Sequence, residues 1–100
     1  MMHVQISPST KANKKFQAVI DNKKTIHFGA RGASDFTLNK SEERKQLYIN
    51  RHRKNEDWAD PKTAGFYAKN ILWNKPTIHA SVKDTNQRFK GLHITYKNRP

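Results

Sequence analysis

The sequence of 100 residues contains no cysteine, only eight acidic residues and no long apolar run. The absence of cysteine excludes a disulfide framework and cysteine-ligated zinc sites, and it fits a reducing compartment. A membrane-spanning helix needs about 20 consecutive apolar residues, and the N-terminal segment lacks the apolar core of a signal peptide. We therefore expect a soluble intracellular protein without a membrane span.

Hydrophobic residues are also scarce, at 34% of the chain. A chain of this length forms one domain and buries only about two-thirds of its unfolded surface. The ten aromatic residues partly compensate, because each large ring buries much area. The composition thus predicts one folded domain with a thin core.

The charge is strongly positive, at +12. Residues 1–30 carry +4 and residues 61–100 carry +7, whereas residues 31–60 carry only +1. A basic surface attracts phosphate backbones through counterion release. It can equally attract an acidic protein or an anionic membrane. The charge therefore indicates a kind of partner and leaves its identity open.

The N-terminal part of the chain predicts an arm followed by a hairpin. Residues 1–14 contain Ser, Pro, Thr, Asn and Lys near their end, which indicates a flexible basic arm. From Phe16 to Phe28 apolar and polar residues alternate on both sides of Asp21-Asn22. Because Asp and Asn tolerate positive φ, this pattern is typical of two strands joined by a tight turn.

Three helices are expected after a loop at residues 29–37. The first runs from Lys40 to Lys54, capped by Asn39. The second begins at Asp60-Pro61, with Asp60 as its cap. The third follows Thr77, where a helical spacing of apolar residues is longer than the competing strand pattern. Gly91 is placed to end the third helix.

The last element is a strand, because Leu92, Ile94 and Tyr96 alternate with polar residues. It most simply joins the hairpin, since a lone hairpin is marginally stable. The predicted fold is α+β in the order β-β-α-α-α-β, a three-stranded antiparallel sheet with three helices on one face. The domain spans residues 15–97, and residues 98–100 form a tail.

The basic residues near the sheet are the candidate binding residues, because lysine and arginine suit contact with a sugar-phosphate backbone. The predicted set, for nucleic acid or an acidic partner, is Lys14, Lys15, Lys23, Lys24, Arg31, Arg51, Arg53, Lys90, Lys97 and Arg99.

Other constellations have structural interpretations that compete with functional ones. His52 and Glu56 are four apart and suit acid-base work, but they are more simply a hydrogen-bonded helix end. His27 and His93 could share a sheet face and bind metal or sense pH, but they are more simply exposed strand positions. Asp35 more simply closes an Asx-turn. The sequence predicts no catalytic residue, no metal and no cofactor.

The two tryptophans also have both a functional and a structural interpretation. Trp58 and Trp73 could be platforms on which bases stack. Trp73 lies on the apolar face of the second predicted helix, which favours a place in the core.

Three ordered motifs resemble a family of short, basic, uncharacterised proteins encoded by large DNA viruses and some phages. The steps are Ser34-Asp35-Phe36-Thr37, then Arg51-His52 with Glu56 and Trp58, then Thr63-Ala64-Gly65-Phe66 with Leu72-Trp73-Asn74-Lys75-Pro76-Thr77. The resemblance covers Lys15 to Phe89, with Tyr67 as a minor departure. It implies a viral source, and the family carries no assigned activity.

These observations predict a small viral protein that binds nucleic acid, DNA or RNA, mostly without sequence preference. The alternative is a virion component, or an inhibitor or adaptor that docks on an acidic protein. A hydrolase using His52 and Glu56 is a third reading, and it lacks a convergent catalytic set. We expect the protein inside the infected host cell, or packaged in the virion.

Overall fold

The computed structural model describes residues 1–97 and has an α+β fold. The strands are β1 (Met2–Pro8), β2 (Lys14–Ile20), β3 (Lys24–Ala30) and β4 (Leu92–Tyr96). The helices are α1 (Phe36–Asn39), α2 (Glu42–His52), α3 (Ala64–Tyr67), which continues as a π-helical turn (Ala68–Leu72), and α4 (Ile78–Arg88). The prediction of an α+β fold is confirmed, but the numbers of strands and helices differ from it.

The sheet has four strands in the order β3-β2-β1-β4. The β2–β3 and β1–β2 pairs are antiparallel, and β4 pairs with β1 in parallel. The sheet is therefore mixed, and the prediction of a purely antiparallel three-stranded sheet is wrong. The predicted third neighbour of the hairpin, β4, joins it only through β1.

Half of the predicted flexible arm, residues 1–14, forms β1, one of the two central strands, so the folded domain includes residues that were predicted to precede it. Val4 is 2% exposed and Ile6 is fully buried, while His3 and Gln5 point to the other face by the alternation of a strand. The interpretation as an arm was wrong because the Ser7-Pro8-Ser9-Thr10 segment outweighed this short alternation. Pro8 ends the strand, where a missing N–H is tolerated. The predicted tail, residues 98–100, lies outside the described residues.

The hairpin prediction is confirmed. Lys23 N donates to Ile20 O at 2.9 Å, and both central residues of this turn have positive φ, 51° at Asp21 and 59° at Asn22. These angles are typical of the type I′ turn, whose twist matches that of the two flanking strands.

Two predicted helix starts need correction. Ser41, not Asn39, caps α2 by accepting from Arg44 N at 3.2 Å. Thr63, not Asp60, caps α3. Asp60 instead accepts from Lys62 N at 3.0 Å, an Asx-turn that competes with helix initiation.

The third predicted helix is confirmed as α4. Thr77 accepts from Ala80 N at 3.1 Å and caps the helix as expected. The helix ends at Arg88. Its C-cap is Phe89, two residues before Gly91, which was predicted to take that position.

The core lies between one face of the sheet and the segment formed by α3, the π-helical turn and α4. Sheet residues such as Phe28 and Ile94 meet Phe66, Tyr67 and Ile71 there. The π-helical turn is closed by Trp73 N, which donates to Ala68 O at 3.1 Å. By contrast, α2 has no buried residue, so it is the helix least committed to the core.

No helix within residues 1–97 is long and apolar enough to cross a membrane.

Candidate functional site: a cationic cleft

A cleft of about 570 Å³ opens between α2, the β2–β3 edge of the sheet and the segment from α3 to Trp73. We call it the cationic cleft, because four lysine and arginine side chains and only two carboxylates line it. Its charged and polar lining residues are Lys14, Lys15, His27, Ser34, Asp35, Arg44, Tyr48, Arg51, His52 and Glu56. Its apolar lining includes Phe28, Gly29, Leu47, Ala64, Gly65, Ala68, Leu72 and Trp73.

The α2 wall of the cleft follows from helical spacing. Arg44, Tyr48 and Arg51 are four and three residues apart, so they share one face of the helix. The ring of Tyr48 stacks on Trp73 with centroids 4.7 Å apart and planes 7° apart. It also meets the His52 ring at 4.4 Å. These three rings make a continuous aromatic wall and hold α2 against the π-helical turn.

The floor of the cleft is apolar and closely packed. Phe28 is 1% exposed and Leu72 is 2% exposed. Gly29 has φ +77°, and a Cβ there would meet Leu72 Cδ1 at 2.8 Å and Lys15 Cβ at 3.3 Å. Glycine is required at this position both for its backbone angle and for the close approach of its neighbours.

A buried ion pair closes one end of the cleft. Lys15 Nζ lies 2.5 Å from Asp35 Oδ2, and the two side chains are 14% and 3% exposed. The other oxygen of Asp35 accepts from Thr37 N at 2.9 Å and caps α1. The predicted Asx-turn at Asp35 is therefore present, and both oxygens of this carboxylate are already engaged.

The second carboxylate of the cleft, Glu56, is more exposed than Asp35 and is more loosely paired. Glu56 Oε1 lies 4.0 Å from His52 Nδ1, and the side chains are 30% and 37% exposed. Burial, and after it the charge of Glu56, raise the pKa of Tyr48 to about 12. The predicted neighbourhood of His52 and Glu56 is therefore real, although α2 itself ends at His52.

The basic residues predicted to bind phosphate are divided between the two ends of the sheet. Lys14, Lys15 and Arg31 lie where β2 begins and β3 ends, and Arg51 faces them across the cleft. Lys23 and Lys24 lie at the hairpin turn, at the opposite end of both strands, and Lys90 precedes β4 at that same end.

The remaining predicted residues lie away from the cleft. Lys97 follows β4, on the far edge of the sheet, and its N–H donates to Ile6 O at 2.8 Å. Arg53 is exposed at the end of α2 and does not line the cleft. Arg99 lies outside the described residues.

The histidines and Trp58 have separate environments. His27 and His93 lie on opposite edge strands, and the ring of His93 contacts His3 at 5.6 Å instead. Trp58 is outside the cleft, with Lys69 Nζ 5.1 Å from its ring centroid. Within residues 1–97 there is no group of three or more His, Asp or Glu side chains placed to hold a metal ion.

Sequence reasoning missed Arg44 and Tyr48, and it placed Trp73 in the core. A signal for Arg44 and Tyr48 existed in their spacing relative to Arg51 on the predicted helix. Trp73 does pack against the core, and it also forms part of the cleft wall.

The three motifs singled out in the sequence converge on the cleft. The first motif contributes Ser34 and Asp35, and the second contributes Arg51, His52 and Glu56. The third contributes Ala64, Gly65, Leu72 and Trp73. Residues 4–52, from β1 to the end of α2, match a family of unknown function (DUF5754). No curated protein and no solved structure matches the chain.

Proposed function

We propose that this protein binds nucleic acid through phosphate contacts, mostly without sequence preference, and that the cationic cleft is the centre of the binding surface. The observation that carries the proposal is the convergence of Lys14 and Lys15 from β2 with Arg44 and Arg51 from α2 on one open cleft. Cations held on two separate elements present a fixed array of donors, and phosphate oxygens are their matching acceptors.

Most of this positive charge is available to a ligand. Lys15 is tied to Asp35, but Lys14, Arg44 and Arg51 form no ion pair with any residue of the described chain. Arg31 adds charge beside the cleft, since its Nη2 and Nε donate to Lys14 O at 3.2 and 3.3 Å. The balance at the cleft is therefore positive, which is what a polyanion requires.

The source and location of the protein are part of the same proposal. The resemblance of the three motifs to short basic proteins of large DNA viruses and phages supports a viral origin. Nucleic-acid binding would then take place in the infected host cell, where viral genomes and transcripts are present.

Salt dependence tests the proposal. Binding of a labelled duplex and a labelled single strand is measured at about 50 and 200 mM salt, where affinity carried by phosphate contacts must fall. Three duplex contacts, from Lys14, Arg44 and Arg51, predict a loss of about 40-fold over that range. A complex whose affinity does not change with salt, or no complex at low salt, contradicts the proposal.

A second candidate function is docking on an acidic protein, as a virion component or as an inhibitor or adaptor. The observation that favours it is the outer surface of the two N-terminal helices. Leu38 in α1 is 65% exposed and does not line the cleft, and α2 buries none of its residues. A stable complex of fixed stoichiometry with an acidic protein, lost in a Leu38→Ser variant that still binds nucleic acid, would establish it.

A further inference from the structure

We propose that the cationic cleft takes up a single unpaired nucleotide of a nucleic-acid strand, with its phosphates against Arg44 and Arg51 and its base against Leu47 and the aromatic wall. This inference rests on the proposed function and adds the form of nucleic acid that is bound. Four features of the cleft support it: size, apolar lining, aromatic wall and charge.

The size fits one nucleotide. A cleft of about 570 Å³ lies within the range of about 300–1,000 Å³ that is typical of small-molecule and cofactor sites. A base that is paired and stacked in a duplex cannot turn its face into such a cleft without leaving the stack. The cleft is therefore suited to a base that is already unpaired.

The distribution of apolar and polar groups matches the two halves of a nucleotide. Phe28 and Leu72 close the bottom of the cleft, and they are themselves only 1% and 2% exposed. Gly29 and Ala68 keep side chains out of the space above this floor. The exposed apolar surface in the cleft is that of Leu47, which is 52% exposed. A flat heterocycle is the part of a nucleotide that gains most from covering such a surface, because stacking and burial act on its faces.

The aromatic wall is fixed before any ligand binds. The ring of Tyr48 is stacked on Trp73 at 4.7 Å and contacts the His52 ring at 4.4 Å with a tilt of 32°. The surface left for a base is that of the partly exposed His52 and Trp73 rings. Rings that are already ordered lose little side-chain entropy when a base packs against them. Stacking of this kind accepts every base, since each has a π-face, which agrees with binding that is mostly independent of sequence.

The charges are placed for a backbone that passes the cleft. Arg44 and Arg51 are seven residues apart on α2, a rise of about 10.5 Å, so they can contact different phosphates of one strand. Asp35 is neutralised by Lys15. Glu56 is the acceptor left for amino or hydroxyl groups of the nucleoside, beside His52 at 4.0 Å.

The experiment compares three ligands: a short single strand, its duplex, and the same duplex carrying one unpaired nucleotide. Binding is followed by anisotropy of the labelled nucleic acid at constant salt. We expect the single strand and the duplex with an unpaired nucleotide to bind at least about tenfold more tightly than the perfect duplex. Two matched variants then test whether the preference depends on the cleft.

Ala64→Phe places a ring at the exposed edge of the cleft, and Ala80→Phe places the same ring at an exposed site on α4 outside it. Ala64→Phe should abolish the preference for an unpaired nucleotide while leaving the salt-sensitive binding of the duplex. Ala80→Phe should change neither the preference for an unpaired nucleotide nor the binding of the duplex. A preference that survives Ala64→Phe, or is absent from the unmodified protein, overturns the inference.

A second readout does not depend on folding of the Ala64 variant. Trp58→Phe leaves Trp73 as the only tryptophan, since the chain has two, and Trp73 lines the cleft. We expect a nucleoside monophosphate to quench its fluorescence at concentrations at which the nucleoside alone or inorganic phosphate alone does not. Equal effects of inorganic phosphate would reduce the cleft to an anion site and overturn the inference.

The two proposals fail in different ways. Salt-sensitive binding of all three nucleic acids with equal affinity would uphold phosphate contact and remove the nucleotide site. Absence of binding to any of them would remove the proposed function, and with it the inference.

Discussion

The carboxylate of Glu56 lies directly against the Cα of Gly65, and a Cβ at that position would collide with it. The contact joins the segment after α2 to the first turn of α3, and it places the Glu56 carboxylate at the cleft. Glycine is used here for space alone, because Gly65 has an ordinary backbone angle.

Gly65→Ala should therefore displace Glu56 from the cleft. We expect a change of less than about 1 kcal/mol in the free energy of unfolding, because the Glu56 carboxylate ends a flexible, 30% exposed side chain that can move aside, and alanine is favoured over glycine in a helix. The pKa of Tyr48 should also fall part of the way from about 12, because the charge of Glu56 contributes to its rise. Denaturant unfolding and the absorbance of the phenolate measure the two effects.

Gly91→Ala is the control for this substitution. A Cβ at Gly91 would have no heavy atom within 4 Å, so stability should stay the same or rise by up to about 1 kcal/mol through loss of unfolded-state entropy. A fall in the pKa of Tyr48 that is as large in Gly91→Ala as in Gly65→Ala would contradict the displacement of Glu56.

The ion pair of Lys15 and Asp35 should contribute strongly to stability. Asp35→Asn keeps a residue that can cap α1 but leaves the Lys15 ammonium buried without its counter-ion. We expect a loss of about 3 kcal/mol, measured by urea unfolding. Glu42→Gln, which removes an exposed partner of Lys45 at 3.8 Å, should cost less than about 1 kcal/mol. Similar losses in the two variants would contradict the role assigned to the buried pair.

Alkaline pH should destabilise the protein through its tyrosines. Burial raises the pKa of Tyr48 to about 12 and raises the pKa of both Tyr67 and Tyr96 above the ordinary value. The folded state therefore favours the neutral phenols. Their contribution is complete below about pH 10, the pKa of an unfolded tyrosine, and is lost as the pH rises toward 12.

The difference between the unmodified protein and Tyr48→Phe isolates one of these groups. It also cancels the contribution of Lys69, whose pKa is lowered chiefly by burial. We expect the stability of Tyr48→Phe to fall less steeply between about pH 10 and 12. Parallel curves for the two proteins would show that Tyr48 ionises equally readily in the folded and unfolded chains.

The elements that local chemistry determines were predictable from the sequence. Asp21-Asn22 supply the positive φ of the hairpin turn, and Thr77 supplies the cap of α4. The start of α3 was not predictable in the same way. Both Asp60 and Thr63 can cap a helix, and the choice depends on where the turn before them places the backbone.

Features that depend on distant contacts could not be read from periodicity. The π-helical turn contains Asn70, which is 1% exposed. Its side chain donates to Phe66 O at 2.9 Å and accepts from Arg88 Nη2 at 2.6 Å. That second partner is 18 residues away, on α4.

Only part of the cleft could be predicted from the sequence. Lys14, Lys15 and Arg51 were predicted as binding residues from charge alone. Their convergence depends on the docking of α2 through Tyr48 and Trp73, a contact between residues far apart in the chain. No local pattern reports such a contact, so the prediction spread the binding surface over both ends of the sheet.

The most direct test of the cationic cleft compares two double variants that remove the same charge. Arg44→Gln, Arg51→Gln acts in the cleft, and Lys23→Gln, Lys24→Gln acts at the hairpin turn. On a single strand the first should lower the slope of log K against log salt by about 1.4, since each lost contact removes about 0.7. The second should change it by less than half as much. Equal losses from the two variants would show that binding follows net charge and would contradict a binding site centred on the cleft.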